Sequence, residues 1–156
     1  MILVVMGVSG AGKSTVGAAL AKALGWPFLE ADELHSPANI DKMRRGEPLD
    51  DADRAPWLQA VAARMRDLQD GVVACSALRE RYRAVLRVRD DVKFVFLDVP
   101  RAALGRRLAH RKGHYMPPSL LPSQLGTLER PDAAVTIEGE LPIAATVAQI
   151  RSALQI

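Results

Sequence analysis

At 156 residues, 49% hydrophobic and 25% charged, the chain has the length of one domain that buries roughly two-thirds of its unfolded surface, with no repeat or low-complexity tract. A net charge of +3 with no basic stripe or tail argues against a nucleic-acid partner, and no segment approaches the run of about 20 apolar residues that a membrane span needs. The one cysteine, Cys75, lies in an apolar run without a disulfide partner and reads as a small buried hydrophobe, so a reducing, cytoplasmic setting with no leader segment is expected.

Ile2–Met6 is a continuous apolar run and predicts a buried strand. It leads directly into Gly7-Val8-Ser9-Gly10-Ala11-Gly12-Lys13-Ser14, a complete G-x-x-x-x-G-K-S phosphate-binding loop. Its glycines let consecutive N–H groups converge on a phosphate, Lys13 reaches the β- and γ-phosphates, and the Ser14 hydroxyl is offered to Mg²⁺. Residues 7–15, through Thr15, are therefore expected to hold a nucleoside triphosphate. The helix that follows, 13–24, puts Val16, Leu20 and Ala23 on one face and stops at Gly25.

A short strand is predicted over 28–31, ending at Asp32. Ser36-Pro37 supplies an N-cap and a proline at the first helical position, opening a helix towards Arg45 that Gly46-Glu47-Pro48 breaks. A longer helix covers about 53–69 with Trp57, Val61, Met65 and Leu68 inward. A third strand over 71–75 precedes a helix with Tyr82, Val85 and Leu86 inward, its many arginines read as a solvated face. A fourth strand spans 92–97, and a helix runs on to Ala109. Residues 110–118 are charged, rich in Gly and Pro, and aperiodic. A helix resumes with Leu121, Leu125 and Leu128 in line, then come a strand over 133–137 and a closing helix over 143–154. This alternation predicts an α/β fold with a parallel sheet in one domain over 1–156. Gly7, Asp32, Ser76 and Asp98 then fall near the carboxyl edge of the strands, where ligands sit in such sheets.

With these strings in place, the chain resembles the bacterial-type gluconate kinases, in the shikimate-kinase and nucleoside-monophosphate-kinase group of P-loop folds. The resemblance is carried by Glu30-Ala-Asp32-Glu-Leu-His35, Asn39-Ile-Asp-Lys42-Met-Arg-Arg-Gly46-Glu-Pro-Leu49, Asp53-Arg54-Ala-Pro56-Trp57-Leu58, Cys75-Ser76-Ala77-Leu78-Arg79 with Tyr82-Arg83, Arg111-Lys112-Gly113-His114-Tyr115 and Leu121-Pro-Ser123-Gln124-Leu-Gly-Thr-Leu128-Glu129. It implies sheet order 2-3-1-4-5, a mobile lid at about 110–118, and phosphorylation of the 6-hydroxyl of D-gluconate with ATP and Mg²⁺. A homodimer is left open. Glu30 stands where such kinases often carry Asp, and Met116-Pro-Pro-Ser makes the lid segment proline-rich.

Roles follow for the other residues. Asp32 is expected to orient the acceptor hydroxyl and receive its proton, and Glu30 to hold a magnesium-bound water. Arg79, a cation at a helix start, suits a carboxylate that a guanidinium grips bidentately. Arg54, Lys42, His35, Ser76, His114 and Gln124 complete the expected acceptor site. Arg107 and Arg111, with Lys112 and His114, are expected to neutralise charge on the transferring phosphoryl group. Gly139 to Pro142 is a candidate adenine-contacting loop by analogy of fold. Alternatives are a same-fold kinase for another sugar acid or polyol, shikimate included, and a nucleotide-binding regulatory module without transfer activity.

Overall fold

The computed structural model describes residues 1–111 and 115–156. Its strands are β1 (Ile2–Met6), β2 (Phe28–Glu30), β3 (Gly71–Ala74), β4 (Val92–Asp98) and β5 (Ala134–Glu138). Its α-helices are α1 (Lys13–Leu24), α2 (Pro37–Arg44), α3 (Asp51–Arg66), α4 (Glu80–Leu86), α5 (Arg101–His110), α6 (Leu121–Thr127) and α7 (Ile143–Leu154). All strand pairings are parallel, in the order β2-β3-β1-β4-β5 that the resemblance implied. β1 lies in the middle, Val4 facing Val73 on one side and Phe94 on the other. Every β1 side chain is fully buried because helices cover both faces, which is why this strand is apolar throughout instead of alternating.

Sequence signals place most boundaries within a residue or two. Ser36 Oγ accepts from the Asn39 amide at 3.1 Å and caps α2, with Pro37 in its first turn. Gly25 closes α1 with φ of 69°. α3 begins earlier than the pattern predicts, at Asp51, because Asp50 and Asp53 form a reciprocal capping box at its start, and it ends at Arg66 with Asp67 as C-cap. β2 ends at Glu30, and Asp32 lies instead in a 3₁₀ turn, Ala31–Leu34, whose Asp32 amide Glu30 caps. α1 buries Val16, Gly17, Leu20 and Ala21 and leaves Ala23 exposed, since the buried stripe follows i, i+4 spacing from Val16. Arg83, expected on a solvated face, is only 1% exposed. Cys75 is buried and unpaired, and burial pushes its thiol up to about 12, as befits a packing residue. Among the described residues no helix is long and apolar enough to cross a membrane.

Candidate active site

The loop between β1 and α1 turns on three glycines with positive φ: Gly7 (148°), Gly10 (87°) and Gly12 (92°). Gly7 is the most constrained, because a Cβ there would lie 3.1 Å from the Leu97 carbonyl and 3.2 Å from the Ala11 Cβ. Lys13 Nζ donates to the Val8 carbonyl at 3.0 Å, which folds the side chain back over the loop. Burial lowers the Lys13 pKa from its ordinary value; the Asp32 carboxylate opposes this and Arg111 adds to it. The Ser14 hydroxyl donates to Glu30. Burial also raises the Glu30 pKa, with the Asp32 charge adding to it and the Ser14 hydrogen bond opposing. A serine hydroxyl beside a carboxylate is a hard-oxygen donor set, and it fits an ion that keeps several of its waters.

A cavity of about 240 Å³ opens beyond the strand ends over this loop. Lys13, Ser14 and Thr15 form its floor, with Arg107 and Arg111 on one side and Asp32, His35, Arg54 and Trp57 on the other. Ser76, Leu78, Met116 and Gln124 close it. Arg107 Nη1 donates to the Gly10 and Ala11 carbonyls at 3.1 and 3.3 Å, and Arg111 Nη1 to Ser9 Oγ at 3.2 Å. The two guanidinium groups thus sit against the phosphate loop, Arg107 from the last turn of α5 and Arg111 from its C-cap. Gln124, expected on the acceptor, accepts from the Ser9 amide at 2.6 Å and so ties α6 to the loop. Tyr115 donates to the Asp32 carbonyl at 3.2 Å. Lys112 and His114 lie outside the described residues.

On the acceptor side, Arg54 is held in place by its neighbours. Its Nη1 donates to the Leu49 carbonyl at 2.6 Å and to the Tyr82 hydroxyl at 3.3 Å, and its Cζ lies 5.4 Å from the Tyr82 ring centroid. Tyr82 in turn donates to Asp51, which pairs with Arg81. His35 stacks on Trp57, centroids 4.1 Å apart, and Trp57 Nε1 donates to the Ala31 carbonyl at 2.7 Å. Trp57, expected as plain core, is therefore also part of the cavity wall. Asn39 Nδ2 donates to the Asp53 carbonyl at 2.9 Å and to His35 Nδ1 at 3.3 Å, which places the imidazole proton on Nε2.

Burial lowers the His35 pKa from 6.5 to about 4, against the opposing Asp32 charge. The folded protein keeps the ring neutral while the unfolded chain takes up a proton. Its contribution to stability is therefore complete above about 6.5 and lost as pH falls towards about 4. Thermal midpoints measured across that window are expected to fall with acidification, and His35→Gln to flatten the fall. An unaltered slope in the variant would assign the titration to another group.

Two expected acceptor residues stand elsewhere. Lys42 Nζ is engaged by Asp53 Oδ2 at 2.7 Å, because the capping box at the start of α3 fixes that carboxylate beside α2. Arg79 is the extended N-cap residue of α4 and is absent from the cavity wall; its Nε is enclosed with no hydrogen-bond partner. Sequence reasoning missed Tyr82 and Asp51 as the support of Arg54. The tyrosine was legible as an inward residue and as part of the Tyr82-Arg83 string, with no role attached.

A second cavity, also of about 240 Å³, lies on the other side of the loop. It shares Gly10, Gly12, Thr15 and Arg107 with the first and is walled by Leu97, Val99, Ile137, Gly139, Leu141, Ile143 and Thr146. Gly139 and Leu141 belong to the expected adenine loop; Val99, Ile143 and Thr146 carried no sequence signal of a site.

A phosphate loop between the central strand and the first helix, with basic side chains from a later helix over it and a carboxylate facing it, defines a P-loop kinase. A family model described as shikimate kinase matches residues 9–124. A gluconokinase of Gluconobacter oxydans is 50% identical over 146 residues, covering 88% of this chain and 82% of its own. The crystal structure of a gluconokinase from Sinorhizobium meliloti superposes with a TM-score of 0.87 at 46% identity, covering 98% of this chain and 90% of that one. Shikimate kinase from Aquifex aeolicus shares the fold at 21% identity, with a TM-score of 0.67. The chain belongs to the gluconokinase family of P-loop kinases.

Proposed function

We propose that the protein transfers the γ-phosphoryl group of ATP to the 6-hydroxyl of D-gluconate. The observation that carries this reading is the first cavity, in which the phosphate loop faces Asp32, His35 and Arg54 across one space. The loop amides and Lys13 bind the triphosphate, and the largely apolar second cavity accepts the base. Ser14, and Glu30 through water, would hold Mg²⁺. When bound, that ion neutralises charge on the β- and γ-phosphate oxygens. Arg107 and Arg111 supply further positive charge where it develops during transfer; the lid expected at about 110–118 takes in residues 112–114, outside the described residues. Asp32 orients the acceptor hydroxyl and takes its proton. Arg54, locked by Tyr82 and the Leu49 carbonyl, reads the carboxylate of the sugar acid in place of Arg79.

A coupled ADP-release screen over gluconate, other aldonates, shikimate, glycerate and nucleoside monophosphates tests the reading; no turnover of gluconate would overturn it. Charge recognition has its own test. A charge-assisted hydrogen bond is worth about 1.5–3 kcal/mol, so gluconate is expected to outperform sorbitol by roughly ten- to a hundred-fold in kcat/KM. Arg54→Ala is expected to remove most of that preference while leaving the KM for ATP near its original value. Equal discrimination in the variant would hand the carboxylate to another residue.

A further inference from the structure

We infer that Arg83 is a positioning residue for the acceptor side of the site, acting through the loop that follows β3. None of the roles above uses this arginine, and it does not line the cavity. It is nevertheless 1% exposed, which for a guanidinium demands a dedicated set of partners. Nη1 donates to the Ala77 carbonyl at 2.7 Å, Nη2 to the Glu129 carbonyl at 2.9 Å, and Nε to Glu80 Oε2 at 3.0 Å. The planar fork spans two carbonyls from distant segments while a carboxylate balances its charge, and lysine has no geometry that does the same.

The loop it holds is under strain. Ala77 has φ of 45°, and outside the helix-terminal Gln155 it is the one non-glycine residue with positive φ among the described residues. Alanine there is disfavoured, and it persists only where its surroundings fix it. Those surroundings are visible: the Ser76 carbonyl accepts from the Gly7 amide at 3.3 Å, the Leu78 carbonyl accepts from the Glu129 amide at 2.7 Å, and Arg83 takes the carbonyl between them. Consecutive carbonyls are thus tied to the phosphate loop, to α4 and to the segment after α6. Ser76 and Leu78, on either side of the strained residue, both line the first cavity. Without the guanidinium, Ala77 relaxes to an ordinary φ and carries the Ser76 hydroxyl and the Leu78 side chain away from the acceptor. The inference rests on the reading that this cavity takes the acceptor.

The test compares wild type, Arg83→Met, Ala77→Gly and the double variant, with folding checked by thermal melting. Arg83→Met is expected to raise the KM for gluconate about tenfold or more, change kcat less than about threefold, and leave the KM for ATP within about twofold. Glycine adopts positive φ without penalty. Ala77→Gly alone is therefore expected to be near wild type, and in the double variant to bring the gluconate KM back to within about threefold. If Arg83→Met does not fold, Arg83→Lys carries the same comparison, with an expected rise of about threefold. An unchanged gluconate KM in a folded variant, equal rises for both substrates, or no recovery with glycine would overturn the inference. Amide hydrogen exchange across 75–79 separates it from the reading on which it rests. Exchange there is expected to speed up in Arg83→Met whatever the acceptor, and unchanged exchange overturns the inference even in a protein that phosphorylates gluconate.

Discussion

Lys13→Ala is expected to lower turnover at least about a hundredfold in a protein that still folds, because removing one preorganised charge from a transfer site costs on the order of 10²–10³ in rate. The fold should survive. Among the described residues Lys13 makes one hydrogen bond, to the Val8 carbonyl, and burial already opposes its charge, so the fold does not depend on it. The transferring group passes through a loose transition state, for which the protein supplies position and positive charge more than covalent chemistry. Arg107 and Arg111 remain against the loop and preserve part of that charge. Turnover of Lys13→Ala near the wild-type rate, with an unchanged thermal midpoint, would take the phosphate loop out of the mechanism.

Asp32→Asn is the second large effect expected. Asparagine keeps the size and one acceptor oxygen but loses the charge that orients a hydroxyl and receives its proton. General-base assistance is typically worth about 10²–10⁴-fold, and the low end applies where the nucleophile needs little activation. The main-chain contacts of this residue do not depend on its carboxylate: its amide donates to Glu30 Oε1 at 3.4 Å and its carbonyl accepts from Tyr115. Steady-state turnover with gluconate should fall about a hundredfold while ATP binding by calorimetry stays close to wild type. Turnover within about threefold would move the acceptor role to another group, Glu30 first.

The fold was legible wherever burial imposes a period. The apolar run of β1 and the stripe Trp57, Val61, Met65 along α3 reach the structure unaltered. The phosphate loop was legible because its glycines and lysine carry a backbone geometry and a charge in one short string. Pairing choices between distant side chains were not. Lys42 and Arg54 sit in similar helical surroundings, yet a capping carboxylate captures the first and a tyrosine supports the second. Arg83 misled for a related reason, since charge is ordinarily a surface signal. The hints were its place between Tyr82 and Leu86, on the inward side of α4, and the Tyr82-Arg83 string that shares in the family resemblance. The second cavity draws its wall from several separate stretches, none of which is distinguishable alone from core.

The stack of His35 on Trp57 has an optical consequence. The chain holds two tryptophans, and only Trp57 is in contact with the cavity where the acceptor is proposed to bind. Its indole is pinned at one end by the Ala31 carbonyl and covered on a face by an imidazole that stays uncharged down to about pH 4. Emission from this residue is therefore expected to report occupancy of the first cavity, whereas the second cavity, proposed for the base, has no indole among its lining residues. A Trp26→Phe background would leave Trp57 as the one tryptophan, so that adding each proposed ligand alone is expected to show which of them changes the first cavity.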